Sequence, residues 1–220
     1  MICLLCGQNF SEKEHFLNII LMKKEESGVC QGCQNTFEKI GNAHCPNCYR
    51  KGFSEKCPDC QNWEKVNHYV QHEALFTYNE SMKEYFSKYK FQGDIRLSQV
   101  FASTIKKALK KYKDYTLVPV PISSKRLEER QFNQVTAVLQ AANLSYQELL
   151  IKKDIRKQSD KTRRERLETQ NPFVLKRGIN LPENVLIIDD IYTTGATLRG
   201  IYQLLYENGS KNVKSFTIAR

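Results

Sequence analysis

The sequence predicts an α/β chain in two parts: a small cysteine-rich module over residues 1–66, then a mostly parallel sheet flanked by helices over residues 67–220. Three observations carry this reading. All eight cysteines lie between Cys3 and Cys60, in four Cys-x-x-Cys pairs. Beyond them, strand-like apolar runs alternate with helix-like stretches, the pattern of a parallel sheet with crossover helices. The most apolar run, Val185-Leu186-Ile187-Ile188, ends in two carboxylates and a Thr/Gly-rich turn. Ligands of such sheets bind beyond the C-terminal ends of the strands.

The cysteine pairs are Cys3/Cys6, Cys30/Cys33, Cys45/Cys48 and Cys57/Cys60. One tight turn offers two thiolates to one tetrahedral ion, and two turns complete a four-sulfur Zn²⁺ site. A redox role explains one such pair but not four in succession. The start, Met1-Ile2-Cys3-Leu4-Leu5-Cys6, has neither a basic region nor a long apolar stretch. No signal peptide is expected, and with none a disulfide framework is not expected either. Pairing sequence neighbours gives Cys3, Cys6, Cys30 and Cys33 for one zinc and Cys45, Cys48, Cys57 and Cys60 for the other; an interleaved arrangement also satisfies the spacing. Both sites read as structural, because four sulfurs leave no open position for catalysis. A segment of this size also lacks enough core of its own, and metal binding supplies folding energy.

The remaining elements follow in order. His68 to Tyr78 reads as a strand or hairpin arm, and residues 79–89 as a polar helix. From Asp94, an N-cap, through Tyr112, apolar residues Leu97, Val100, Phe101, Ile105, Ala108 and Leu109 recur at three- and four-residue steps, predicting one amphipathic helix. Thr116 to Pro121 is a short buried strand ending in prolines, Phe132 to Ala142 a helix, and Tyr146 to Ile151 a strand. Residues 152–177 hold ten Lys/Arg against four Asp/Glu with little periodicity, so they read as a mobile functional loop or a solvated surface. Strand Val185–Asp189, a turn, a helix from about Thr197 to Glu207 stopped by Asn208-Gly209, and a last strand Val213–Ala219 complete the chain.

Composition excludes several classes. With 40% hydrophobic residues, 11 Phe and 11 Tyr in 220 residues, a packed core is available and disorder is not expected. No apolar run approaches the ~20 residues of a membrane span, so a soluble cytoplasmic protein without membrane insertion is expected. Residues 1–66 carry eight basic and eight acidic residues, so the whole net charge of +10 falls on residues 67–220. That favours phosphorylated or polyanionic partners. None of His15, His44, His68 and His72 stands beside a Ser or Cys nucleophile motif, so no acyl-transfer chemistry is expected.

The segment Val185 to Leu198 is the most informative. An apolar strand delivers Asp189 and Asp190 to its end, and Thr193-Thr194-Gly195-Ala196-Thr197 leads into a helix. Backbone N–H groups at such a turn suit a phosphate, the threonine hydroxyls add donors, and carboxylates accept from a sugar diol. The segment reads as a clamp for a phosphorylated ribose. It is neither a Walker A loop nor a dinucleotide fingerprint.

This pattern resembles the phosphoribosyl pyrophosphate (PRPP) motif of type I phosphoribosyltransferases, and the wider chain resembles the ComF family. The paired cysteines, Lys90-Phe91-Gln92-Gly93-Asp94, Val118-Pro119-Val120-Pro121, Arg130-Gln131-Phe132-Asn133-Gln134 and Ile218-Ala219-Arg220 carry the wider resemblance. Gln131 departs from it, since the family usually has glycine there. The resemblance implies a type I phosphoribosyltransferase-like sheet behind a double zinc ribbon. It implies that Asp189 and Asp190 hold the ribose hydroxyls and that Thr193, Thr194, Gly195, Ala196 and Thr197 wrap the 5′-phosphate. Ser123, Ser124, Lys125 and Arg126, in the loop after Pro121, would meet the pyrophosphate with Mg²⁺. Lys161, Arg163, Arg164 and Arg166 sit where such enzymes carry a mobile closing loop, with Arg163 or Arg164 acting on the leaving group; a solvated basic surface is the alternative.

The resemblance further implies a competence factor for natural transformation, acting in uptake of single-stranded DNA beside a ComFA-like DNA-uptake helicase. The basic–aromatic run of Tyr85, Tyr89, Phe91, Arg96, Lys106, Lys107, Lys110, Lys111, Tyr112 and Lys113 fits stacking on bases; a core role for the aromatics fits it too. The alternative reading is a nucleobase phosphoribosyltransferase of nucleotide salvage, for which no base-recognising hood is evident.

Overall fold

The computed structural model describes residues 1–11, 28–153 and 171–220. Its centre is a four-stranded, all-parallel sheet: β1 (His72–Phe76), β2 (Thr116–Pro119), β5 (Asn184–Ile191) and β6 (Asn212–Ala219), in the order β1-β6-β5-β2. A separate antiparallel pair joins β3 (Leu150–Lys152) to β4 (Phe173–Leu175). The helices are α1 (Gln31–Asn35), α2 (Pro58–Glu64), α3 (Glu80–Phe91), α4 (Ala102–Leu109), α5 (Ser124–Arg130), α6 (Gln134–Ala141) and α7 (Ala196–Glu207).

Alternation along β5 builds two cores. Leu186 and Ile188 face one side, with Leu117, Phe216 and Ile218, and pack under Tyr85, Phe86 and Tyr89 of α3, Ile105 of α4, and Val135, Val138 and Leu139 of α6. Val185 and Ile187 face the other side, with Val118 and Val213, and pack under Leu198, Ile201, Tyr202 and Leu205 of α7. Period-two side chains buried on both faces are what an all-parallel sheet requires.

The cysteine module meets both cores. Cys3, Val29 and Phe37 join the α3 side, whereas Cys45, Cys48, Cys57 and Cys60 join the α7 side. Between them the chain runs along edge strand β1: Ile40 donates to the Leu75 carbonyl at 3.0 Å and Thr77 to the Glu38 carbonyl at 2.8 Å. An edge strand covered in this way has few free ladder groups.

Several expectations need correction. The stretch 94–112 is not one helix. It is a 3₁₀ turn (Ile95–Gln99), then α4, then a 3₁₀ turn (Lys110–Tyr112), although Leu97, Val100, Phe101, Ile105, Leu109 and Tyr112 are buried as expected. Asp94 spends its carboxylate on Arg96, accepting from its backbone N–H and pairing with its guanidinium at 2.9 Å. Strand β1 is no hairpin arm but a parallel neighbour of β6. Helix α3 looks polar in sequence yet buries Met82, Tyr85, Phe86 and Tyr89. The strand expected at Tyr146–Ile151 reduces to β3, and the basic stretch 152–177 contains β4, whose Phe173 is buried. The segment expected as a loop at Ser123–Arg126 opens α5, with Ser123 as its N-cap.

Candidate functional site

Parallel strands β2, β5 and β6 end on one edge of the sheet, and the polar groups gather there. β5 runs on to Ile191, so Asp189 and Asp190 stand at its exit on opposite faces. Asp189 accepts the Asp190 backbone N–H at 2.9 Å. Burial, with the Asp190 charge beside it, pushes the Asp189 carboxyl up to about 7. Asp190 is paired: Lys90 Nζ lies 2.7 Å from its Oδ2, and Gln134 Nε2 donates to the same oxygen at 3.3 Å. Gln134 is buried, and its Oε1 has no partner among the described residues. Tyr89 donates its hydroxyl to the Gln134 carbonyl at 2.8 Å, fixing the start of α6.

The turn after β5 is shaped by packing. Tyr192 is buried and donates its N–H to the Ala219 carbonyl at 2.9 Å, while Thr193, Thr194, Ala196 and Thr197 are exposed. Gly195 has φ +81°, and a Cβ there would stand 2.3 Å from Tyr192 Oη. Only glycine fits, on both grounds. Helix α7 begins immediately afterwards, so its N-terminal dipole faces the threonines. The Thr193 and Thr194 carbonyls are held from behind, by Arg220 at 2.7 Å and by Trp63 Nε1 at 3.1 Å. Trp63 in turn carries the Arg199 guanidinium over its ring at 5.1 Å.

The segment after β2 reaches the same edge. Val120 donates to the Ile188 carbonyl at 2.9 Å, and Asn133, the N-cap of α6, donates to the Val120 carbonyl at 3.0 Å. Ser123, Ser124, Lys125 and Arg126 thus form a helix start rather than an open loop, with Ser123 Oγ accepting the Arg126 N–H at 3.4 Å. Arg163 and Arg164, with Lys161 and Arg166, lie outside the described residues.

The cysteines form two four-sulfur clusters, Cys3/Cys6/Cys30/Cys33 and Cys45/Cys48/Cys57/Cys60, with all sulfurs in each within 4.8 Å of one another. Neighbours in sequence pair, as expected, and no interleaving occurs. Sulfur separations of 3.8 Å (Cys6–Cys30, Cys45–Cys60) and 3.5 Å (Cys48–Cys57) are far from a disulfide. They match the edge of about 3.8 Å expected for a tetrahedron with metal–sulfur bonds of ~2.3 Å. The second cluster is wholly buried. The Cys60 thiol and the Arg220 guanidinium, 3.5 Å from Cys48 Sγ, hold Cys48 down at about 4. His44 stays out of the cluster, stacked on Tyr49 at 4.0 Å. His72 is equally structural: it is buried between the Ser215 and Thr217 hydroxyls at 2.9 and 3.1 Å.

The basic–aromatic run needs a correction. Tyr85, Tyr89 and Tyr112 are core residues and have no face to offer a base, whereas Phe91 is exposed. Sequence reasoning also missed four supports of the site as site residues: Lys90, Gln134, Trp63 and Arg220. Lys90, Gln134 and Arg220 stood only inside resemblance motifs. Nothing local marks any of them, because each acts on a partner far along the chain.

No protein-family model matches the chain. Among described proteins, competence protein ComFC of Streptococcus pneumoniae (strain ATCC BAA-255 / R6) is 47% identical over 220 residues, all of both chains. Competence protein ComFC of Bacillus subtilis (strain 168) is 35% identical over 229 aligned residues, with 100% of this chain and 95% of that protein covered. Competence protein F of Haemophilus influenzae is 23% identical, covering 89% and 91% of the two chains. Among solved structures, an allosteric regulatory enzyme of purine biosynthesis overlaps 52% of this chain and 24% of its own at 21% identity and a TM-score of 0.35. A hypoxanthine phosphoribosyltransferase from Staphylococcus aureus overlaps 55% and 61% at 17% identity and a TM-score of 0.33. The structural overlaps are too loose to argue from. Identity along the full length is decisive: the chain belongs to the ComFC family of competence proteins.

Proposed function

We propose that this protein is a competence factor of natural transformation that handles incoming single-stranded DNA in the cytoplasm, in contact with a DNA-uptake helicase. In this reading residues 67–220 form a phosphoribosyltransferase-like domain that binds PRPP with Mg²⁺. The single observation that carries the PRPP reading is the exit of β5. Asp189 and Asp190 stand one turn before a glycine-pinned threonine loop that opens α7, so a diol acceptor and a phosphate donor set lie on one edge. Asp189 and Asp190 would take the ribose hydroxyls, and Thr193 to Thr197 the 5′-phosphate. Ser123 to Arg126 would take the pyrophosphate from the start of α5, whose positive dipole end suits an anion. When bound, Mg²⁺ would supply neutralisation of the pyrophosphate charge, and because it usually retains waters, Asp189 and Asp190 would need to supply few ligands.

The two clusters hold structural zinc in this reading, consistent with all-sulfur donor sets and near-tetrahedral separations. The family membership supports the competence role, and the positive balance of residues 67–220 suits a polyanionic strand.

Calorimetric titration with PRPP and Mg²⁺ tests the pocket, with the Asp189→Asn, Asp190→Asn double variant as control. Binding by the wild type alone is expected. Equal binding by the double variant would remove the ribose clamp, and no binding by either would remove the PRPP reading.

A further inference from the structure

The threonine loop and the second cysteine cluster share two side chains. Arg220, just past β6, donates through Nη1 to the Thr193 carbonyl at 2.7 Å and to the Tyr192 carbonyl at 3.4 Å. Its Nε donates to the Cys48 carbonyl at 3.2 Å, and its Nη2 approaches Cys48 Sγ at 3.5 Å. The guanidinium lies 4.5 Å over the Tyr192 ring, 3.7 Å from Asp59, and its side chain is only 9% exposed. Trp63, on helix α2, which Cys57 caps and which carries Cys60, donates its indole N–H to the Thr194 carbonyl at 3.1 Å.

Two consecutive loop carbonyls are therefore fixed from the cluster side. In a planar trans peptide the N–H of the next residue points opposite to the carbonyl. Anchoring the carbonyls of Thr193 and Thr194 thus aims the N–H groups of Thr194 and Gly195 away from the cluster. That is the direction from which an anion would meet a loop at the start of α7.

Charge favours the same arrangement. Four thiolates around a divalent ion leave two surplus negative charges, one of which a buried guanidinium offsets. A metal in the cluster would also fix Cys48, and with it the carbonyl and sulfur that Arg220 contacts there.

We propose that Arg220 and Trp63 are positioning residues of the phosphate loop, and that metal in the Cys45/Cys48/Cys57/Cys60 cluster sets the loop's shape and its affinity for PRPP. The affinity part rests on the PRPP reading given above; the coupling of cluster to loop does not. Linkage is reciprocal, so PRPP must raise this cluster's equilibrium affinity for the metal by the factor by which the metal strengthens PRPP binding.

The test uses the full chain, loaded with zinc. Trp63 is the single tryptophan, so its emission reports on the loop directly. Arg220→Ala and Arg220→Lys are compared with wild type under saturating zinc, with metal content, amide exchange over residues 192–198 and PRPP affinity as readouts. Lysine keeps the charge but cannot span Cys48, Tyr192 and Thr193 together. Both variants are expected to keep both metals. Both should speed loop exchange at least tenfold, shift Trp63 emission, and weaken PRPP binding at least tenfold. Trp63→Phe should weaken binding about threefold to fivefold. In wild type, chelation that empties the second cluster should reproduce the exchange and emission changes, and PRPP should oppose that emptying.

Wild-type exchange and emission in both Arg220 variants, or after the cluster is emptied, would overturn the coupling. If wild type itself fails to bind PRPP, the ligand reading falls, and exchange and emission still decide whether the cluster shapes the loop.

Discussion

Lys90 Nζ sits 2.7 Å from Asp190 Oδ2, with the two side chains only 15% and 13% exposed. The pair bridges α3 and β5, and the ammonium also lies 4.6 Å over the Phe86 ring. Gln134 adds a second donor to the same carboxylate oxygen. Such a pair costs much to bury, but breaking it costs more, because the survivor keeps its charge without its partner. Here the survivor would stand beside a second carboxyl, Asp189. Lys90→Met is expected to lower unfolding free energy by about 3 kcal/mol, and adding Asp190→Asn to recover at least half of that. Urea titration of the single and double variants checks both. A loss below about 1 kcal/mol would place the pair in the range of solvated ion pairs.

Asp189 gives a pH-dependent counterpart. Its folded pKa is raised to about 7, against an unfolded value of ~3.9. Between these values the folded chain holds a proton that the unfolded chain releases, so this group's contribution to stability falls as pH rises from about 4 to 7. An asparagine at this position has no such slope and can still accept the Asp190 N–H. Asp189→Asn is therefore expected to melt close to wild type near pH 5 and about 4–8 °C above it at pH 8, while losing PRPP. A constant difference across that range would mean that burial does not hold the proton.

The two cysteine clusters, β5, α7 and β6 were legible because their signals are short-range. Cys-x-x-Cys spacing, an apolar run from Val185 and a helix stop at Asn208-Gly209 each declare themselves within a few residues. Helix α5 was not legible because none of its residues is buried, so it carries no apolar period. Strand β4 is three residues long and lies within a basic stretch whose charge hides it. The stretch from Asp94 to Tyr112 kept its buried positions but not its single helix, since 3₁₀ turns place residues at nearly the same steps of three. The aspartates and threonines of the site could be read from one segment. Their supports could not: Trp63 reaches its carbonyl across 131 residues and Arg220 reaches Cys48 across 172. No window of local sequence contains both ends of such a contact.

Gln131 closes α5 in the left-handed region, at φ +65°, and donates to the Leu127 carbonyl at 2.8 Å. A side chain in that region costs about 1–2 kcal/mol relative to glycine. Glycine repays part of this through the larger entropy of the unfolded chain. Gln131→Gly is expected to stabilise the fold by about 0.5–1 kcal/mol, and Gln131→Val to destabilise it by at least as much, because branching at Cβ tightens the clash. Midpoints of urea unfolding at unchanged slope check both. Equal midpoints for the glycine and valine variants would show that the turn relaxes freely.

Phe91 is the exposed aromatic of the basic–aromatic run, at 78%, with the Arg130 guanidinium 5.6 Å from its ring. Tyr85, Tyr89 and Tyr112 are enclosed in the core, so replacing them changes stability before it changes any surface. If single-stranded DNA is the partner, stacking falls to Phe91 and phosphate contact to the cations beside it. Loss of one base–aromatic stack costs about 1–3 kcal/mol, and loss of one phosphate contact lowers the salt slope by roughly one. Phe91→Ala is therefore expected to weaken oligonucleotide binding by about 5- to 150-fold at fixed salt, with the salt slope and melting temperature unchanged. Arg130→Gln is expected to flatten the slope. Fluorescence anisotropy with a labelled oligothymidylate across a salt series separates the two effects. Wild-type affinity in Phe91→Ala, together with a flattened slope in Arg130→Gln, would assign this face to phosphate contact alone and move base stacking elsewhere on the molecule.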